Sequence, residues 1–125
     1  MKHKILIVED DIDDQLLFTE TIHDIDPSYE CACVCNGAEA ISYLENTVTL
    51  PSIILLDLNM PLMNGFDFLE TIKKMENFRH LPVVIFSTSS AIQDMQRTKR
   101  LGAKSFFTKS NHIKEMRINL IKVLF

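Results

Sequence analysis

The sequence predicts an α/β protein with one parallel β-sheet that is covered by helices on both faces. Five short apolar runs alternate along the chain with five stretches that carry apolar residues at helical spacing. The apolar runs are continuous, which is typical of strands buried on both faces. The chain has 125 residues and 46% hydrophobic residues, which suits one domain with one core. We therefore expect a single domain over 1–125, without an output domain.

The strands are placed by the apolar runs that are rich in β-branched residues. The first run ends where a group of acids begins, and the third ends at a single Asp. Each run is too short for a helix and is bounded by polar or turn residues. The expected strands are 5–8, 30–35, 53–56, 82–86 and 105–108.

The helices are placed by caps and by apolar spacing. Acids suit the first turn of a helix, and proline or glycine ends one, so the first helix is expected between Asp13 and Pro27. The second helix follows a turn at 36–37, the third begins at Phe66, and the fourth closes at Gly102. The apolar side is expected from Leu16, Leu17, Ile22 and Ile25 in the first helix, from Ile92, Met95 and Leu101 in the fourth, and from Ile113, Met116, Leu120, Ile121 and Leu124 in the fifth.

Polar residues follow four of the five strands at their carboxyl ends. In open parallel sheets this edge is where ligands bind. We therefore expect acids, a hydroxyl and an amine to converge on one rim of the sheet. They are Glu9, Asp10 and Asp11 after the first strand, Asp57 after the third, Ser87 after the fourth and Lys109 after the fifth.

This set of side chains predicts a magnesium site that supports phosphoryl transfer. The carboxylates of Glu9, Asp10 and Asp57 would repel one another, and Mg²⁺, which prefers oxygen ligands, would relieve that repulsion. Lys109 would offset a further negative charge, and Ser87 could hydrogen-bond a phosphoryl oxygen. Asp57, acting as a carboxylate nucleophile, would form an acyl phosphate.

Each residue also has a purely structural interpretation. Asp11, Asp13 and Asp14 could simply cap the first helix, because acids are favourable at helix amino termini. Asp57 alone could start a loop, and Lys109 alone could be a surface lysine. The coincidence of these residues at the ends of four strands favours a site.

The chain resembles the receiver domain of bacterial two-component signalling, the CheY-like response-regulator family. Five segments carry the resemblance, in order and at family spacing over essentially the whole chain: 5–11, 36–40, 55–61 with 64–65, 82–87, and 102–103 with 106–109. The resemblance implies a flavodoxin-like fold with strand order 2-1-3-4-5. Glu-Asp-Asp, Asp-Asp-Gln and Thr-Lys-Ser are also similar to stand-alone regulators associated with phytochrome-type histidine kinases.

The resemblance implies a role for each matching residue. Asp57 matches the phosphoacceptor. Asp10, Asp57 and the backbone carbonyl of Asn59 match the Mg²⁺ ligands, with Glu9 acting through water. Lys109 matches the conserved lysine, and Ser87 and Phe106 match the switch pair.

The implied function is signalling rather than enzymatic turnover of an external substrate. A sensor histidine kinase or a phosphotransfer protein would supply the phosphoryl group, with only self-catalysed phosphorylation and dephosphorylation by the chain. A downstream protein would bind a changed face made by the fourth helix, fifth strand and fifth helix. A homodimer through the same face is a further expectation.

Two positions depart from the family pattern. Proline usually follows the conserved lysine, in a cis bond, whereas Ser110 stands here. We expect the Lys109–Ser110 bond to be trans, because a cis bond before a non-proline residue costs about 2.5–4 kcal/mol. Phe106 stands where the family often has tyrosine, so the switch would depend on packing rather than on a hydroxyl.

Three other functions were compared with the receiver. A haloacid-dehalogenase-like phosphatase needs Asp-x-Asp, but the second position here is Asn59. A flavodoxin-like flavin binder needs a hydroxyl- and glycine-rich phosphate loop after the first strand, where acids stand instead. A receiver-like module that binds without phosphorylation is disfavoured by the complete acceptor set.

Composition and charge limit the partners and the cellular location that we expect. The net charge of −4 and the lack of a basic stripe argue against nucleic acid as a partner. No stretch is long enough for a membrane span or a signal-peptide core, so we expect a cytoplasmic protein. Cys31, Cys33 and Cys35 are expected on one face of a strand as small buried residues with free thiols.

Overall fold

The fold was described from a computed structural model, which covers residues 3–109 and 112–124. Strands and helices alternate along the whole of the described chain. The strands are β1 (Lys4–Val8), β2 (Glu30–Val34), β3 (Ile53–Leu56), β4 (Val83–Ser87) and β5 (Ser105–Thr108). The helices are α1 (Ile12–Ile25), α2 (Gly37–Asn46), α3 (Gly65–Lys74), α4 (Ile92–Arg100) and α5 (Ile113–Leu124).

The five strands form one parallel sheet in the order β2-β1-β3-β4-β5. β1 pairs with both β2 and β3, so the order reverses beside β1. At a reversal of this kind the connecting helices leave on opposite faces, and a crevice opens beyond the carboxyl ends of the two strands. The predicted fold class and strand order are confirmed, and each expected strand lies within one residue of its observed bounds.

The core has two layers, one on each face of the sheet. Side chains alternate along a strand, so Ile5 and Ile7 face one layer while Leu6 and Val8 face the other. The first layer includes Phe18 of α1 and Met116 of α5, and the second is covered mainly by α2 and α3. All four residues of β3 are buried, which explains the continuous apolar run in the sequence.

Three helices begin with an Asx cap of the kind that their sequences predict. Asp11, Asn36 and Asn64 each accept a hydrogen bond from the backbone N–H three residues later. Such a cap contributes about 1 kcal/mol. The capping interpretation is therefore correct for Asp11, and the observed helices begin one residue earlier than expected at α1, α2 and α3.

Several apolar helix residues that were expected to face the core are exposed. The exposed fraction is 55% for Leu16, 70% for Ile92 and 62% for Ile113, and Met95 and Ile121 are also exposed. Phe18, which was not among the expected core positions, is 2% exposed. The reason is that apolar spacing identifies a stripe on a helix, whereas packing decides which edge of the stripe meets the sheet.

The cysteines were wrongly expected to be buried together. Cys33 is exposed, while Cys31 and Cys35 are half-buried, and all three thiols are free. β2 is an edge strand of the sheet, so α1, which lies beside the cysteines, leaves part of this strand open to solvent. Across the described ranges, no helix is long and apolar enough to cross a membrane.

Candidate functional site

The site lies at the carboxyl edge of the sheet, where strand register brings distant residues together. Val8 pairs with Leu56, and the backbone N–H of Asp57 donates to the Val8 carbonyl at 3.0 Å. The backbone N–H of Lys109 donates to the Ser87 carbonyl at 2.7 Å. The residues that follow β1, β3, β4 and β5 therefore share one rim, as the sequence predicts.

Three carboxylates form a compact acidic cluster on this rim. Oxygen atoms of Glu9, Asp10 and Asp57 all lie within 4.8 Å of one another. Glu9 is 2% exposed and Asp57 is 6% exposed, whereas Asp10 is exposed. Burial raises the pKa of Glu9 to about 8, against the opposing effect of Lys109. Burial also raises the pKa of Asp57, and Lys109 again opposes the shift.

This cluster fits a hard divalent cation. Its oxygen donors are of the kind that Mg²⁺ prefers, and Asp10 is open to solvent, which suits a cation that keeps several waters. The raised pKa values show that burial disfavours the charged carboxylates, a cost that a bound cation would offset. The two buried acids and the exposed one thus provide a chemically suitable site for the expected metal.

Lys109 lies among three carboxylates, two from the region where β1 passes into α1 and one that follows β3. Its Nζ donates to Glu9 Oε1 and to Asp14 Oδ2, the latter at 3.0 Å, and lies 3.7 Å from Asp57 Oδ1. Burial alone would lower the pKa of Lys109, but the hydrogen bonds with Glu9 and Asp14 raise it to about 12. The ammonium therefore stays charged beside the Asp57 carboxylate.

Asp14 is the residue of the site that sequence analysis missed, since it was interpreted only as a helix-capping acid. Asp11 provides the cap, and the Asp14 carboxylate turns to Lys109 instead. One signal could have found it: Asp14 lies in the first turn of α1, three residues after the N-cap Asp11, and so close to the carboxyl end of β1.

The loop after β3 is held in place by backbone hydrogen bonds. Gly65 N–H donates to the Leu58 carbonyl, and Gly37 N–H donates to the Met63 carbonyl, both at 3.0 Å. The backbone N–H of Asn59 is hydrogen-bonded to the Asp57 carboxylate, which favours the charged form. These contacts fix the backbone on which the Asp57 carboxylate is placed.

Ser87 and the two phenylalanines of β5 connect the rim to the rest of the sheet. Ser87 is fully buried, and its Oγ accepts a hydrogen bond from the Ser89 N–H at 3.1 Å. Phe106 lines a groove between α4 and β5, while Phe107 stacks on Phe86 with ring centroids 5.3 Å apart. The two rings lie on opposite faces of the sheet, as strand alternation predicts. The Lys109–Ser110 bond lies outside the described residues.

Comparison with known proteins identifies the family. The model of the response regulator receiver domain matches residues 5–121, so the chain belongs to the response regulator receiver family of two-component signalling. Receiver domains of this family are phosphoacceptor signalling modules that bind a divalent metal. The resemblance drawn from the sequence is confirmed.

Two relatives and two solved structures show what the chain is similar to. Response regulator Rcp1 of Synechocystis sp. is 30% identical over 117 residues, with 90% of this chain and 80% of Rcp1 covered. Sporulation initiation phosphotransferase F of Bacillus subtilis is 32% identical over 125 residues, with 99% and 95% covered. The phosphorylated cyanobacterial phytochrome response regulator RcpA superposes with a TM-score of 0.90 at 30% identity, covering 98% of this chain and 91% of RcpA. The Mn²⁺-bound form of Rcp1 superposes with a TM-score of 0.86 at 28% identity, covering 97% and 91%.

Proposed function

We propose that this protein is a response regulator that accepts a phosphoryl group on Asp57 in a Mg²⁺-dependent reaction. The observation that carries the proposal is the near-complete burial of Asp57 between two further acids and Lys109 at the edge of a parallel sheet. Such an arrangement suits a reaction in which positioning and charge neutralisation dominate.

Different residues of the site would have different roles in the phosphoryl transfer. One Asp57 carboxylate oxygen forms a bond to phosphorus while the bond from phosphorus to the donor's leaving group breaks, and the product is an acyl phosphate. Lys109 Nζ, 3.7 Å from Asp57 Oδ1, is placed to hydrogen-bond a phosphoryl oxygen. Asp10, Asp57 and the Asn59 carbonyl would hold Mg²⁺, with Glu9 acting through water, and the ion would neutralise phosphoryl charge.

The signal would leave through the face made by α4, β5 and α5. Ser87 is buried beside the rim, so it could turn to hydrogen-bond the phosphoryl group, and Phe106 could move into the space it leaves. The groove that Phe106 lines would then change shape for a downstream protein or a second copy of the chain. A few kcal/mol of differential interaction is enough to repopulate two such states.

The relatives indicate the kind of donor. One is named as a phosphotransferase and another as a phytochrome response regulator whose structure is phosphorylated. We infer that a sensor histidine kinase or a phosphotransfer protein supplies the phosphoryl group here, in the cytoplasm, where free thiols such as those of the three cysteines persist. A phosphatase of the haloacid-dehalogenase type is disfavoured, because Asn59 lacks the second carboxylate.

Labelling with a small phosphodonor tests the proposal. The protein is incubated with acetyl phosphate and Mg²⁺, and the adduct is mapped by mass spectrometry after reduction with borohydride. We expect one phosphoryl group on Asp57, none without a divalent cation, and none in Asp57→Asn. Asp67→Asn, which removes an exposed carboxylate on α3, is the matched control and should label normally. Labelling that persists in Asp57→Asn would contradict the assignment.

A further inference from the structure

We propose that Asp14 is a positioning residue for Lys109, which holds the ammonium so that an N–H points at the phosphoryl group entering on Asp57. This inference rests on the proposed function, since it concerns how Lys109 serves that reaction. Asp14 itself would touch neither the phosphoryl group nor the cation.

The hydrogen bonds of Lys109 Nζ leave one of its N–H groups for the phosphoryl group. An ammonium has three N–H donors. Glu9 and Asp14 accept hydrogen bonds from it, whereas the 3.7 Å separation from Asp57 Oδ1 is too long for a hydrogen bond. Two anchors thus orient the third N–H towards the space above Asp57, where a phosphoryl oxygen would arrive.

The Asp14 carboxylate does not serve as the cap of α1. Asp11 accepts the hydrogen bond that caps α1, and the donor is the backbone N–H of Asp14. The Asp14 carboxylate is 36% exposed, while the Lys109 side chain is only 12% exposed. The carboxylate therefore reaches inward from the surface to a lysine that comes from the far end of the chain.

A lysine side chain is flexible, so its ammonium needs neighbours that hold it in place. Its charged group sits on a four-carbon stem with many rotamers, so orienting it costs side-chain entropy unless neighbours fix it beforehand. Glu9 is one anchor, but it also belongs to the acidic cluster that fits a cation. Asp14 lies outside that cluster, so it can hold Lys109 whatever Glu9 does.

The test compares two neighbouring acids in the same helical turn. Asp14→Asn removes the anchor, whereas Asp13→Asn removes the same charge from an exposed side chain. The rate of labelling by acetyl phosphate is measured at saturating Mg²⁺ in both variants, and again in a Lys109→Met background. Mg²⁺ affinity is measured separately by calorimetry, and the ¹⁵Nζ resonance of Lys109 is followed by NMR in the metal-free protein.

We expect Asp14→Asn to slow labelling roughly threefold to tenfold relative to Asp13→Asn, with Mg²⁺ affinity unchanged, because the loss of one hydrogen-bonded charge pair is of that order. The difference should vanish in the Lys109→Met background, and Asp14→Glu should recover part of the rate. The Lys109 ¹⁵Nζ signal should lose its protection from solvent exchange in Asp14→Asn alone.

Equal rates in the two asparagine variants, a faster rate in Asp14→Asn, or an undiminished effect in the Lys109→Met background would overturn the inference. Failure of the proposed function has a different signature, since the wild-type protein would then carry no label on Asp57 at all.

Discussion

Replacement of Gly65 by alanine should disturb Asp57, the proposed acceptor, through direct backbone contact. A Cβ atom at Gly65 would lie 2.4 Å from the Asp57 carbonyl oxygen and 2.7 Å from Leu58 Cα. Both are backbone atoms of the segment that carries the Asp57 carboxylate, so neither can move aside by a change of rotamer. Ordinary van der Waals contact begins at 3.4 Å, and the loop must therefore shift by about 1 Å.

The magnitude follows from two opposing effects. Gly65 is the first residue of α3 and its φ is not positive, so alanine on its own would favour the helix by up to about 1 kcal/mol. Overpacking against backbone typically costs about 1–3 kcal/mol. We expect a net loss of about 1–2 kcal/mol, or a fall of roughly 4–8 °C in melting temperature. A 1 Å displacement of the reacting group can slow transfer by about 100-fold.

Gly102→Ala is the matched control for this experiment. Gly102 has a φ of 99°, so alanine there costs about 1–2 kcal/mol of left-handed strain. The three atoms nearest to its Cβ would all belong to the flexible Lys73 side chain, the first at 3.3 Å. We therefore expect Gly102→Ala to lose similar stability in urea unfolding while its Asp57 labelling rate stays at the wild-type value.

A Gly65→Ala protein that is more stable than wild type and is labelled at the wild-type rate would contradict this prediction. That result would mean that helix propensity outweighs the contact and that the loop after β3 yields freely. Equal slowing of labelling in both glycine variants would instead attribute the effect to lost stability.

Two further outcomes can be measured directly. Asp10→Ala should weaken Mg²⁺ binding at least about tenfold in calorimetry, because a proposed cation ligand is lost. Asp11→Ala should cost about 1 kcal/mol of stability through its cap and leave Mg²⁺ affinity unchanged. The reverse order would show that the acidic pair is Asp10 and Asp11. Iodoacetamide at pH 8 should alkylate the exposed Cys33 before Cys31, because burial raises the pKa of the Cys31 thiol to about 11 and only the thiolate reacts. The rate of Cys31 alkylation should rise as the pH approaches that value. Faster alkylation of Cys31 than of Cys33 at pH 8 would contradict this prediction.

Local sequence was sufficient to place the strands, the caps and most of the rim. A short continuous apolar run such as 53–56, rich in β-branched residues, is typical of a strand buried on both faces, and an Asx residue before a helix is typical of an N-cap. Once the sheet is parallel, all carboxyl ends lie on one edge, so the sequence alone predicts that Glu9, Asp57 and Lys109 lie together. The strand order came from resemblance to a family rather than from these local patterns.

Tertiary packing decided what depends on contacts between distant segments. The pairing of Asp14 with Lys109 spans 95 positions, and no local pattern encodes the direction in which a helix turns an acid. Helical spacing likewise did not reveal that Ile92 faces solvent, nor strand spacing that Cys33 does. Periodicity defines which side chains share a face, but the face that is buried is chosen by the packing of the whole chain, where burial of apolar area outweighs any local preference.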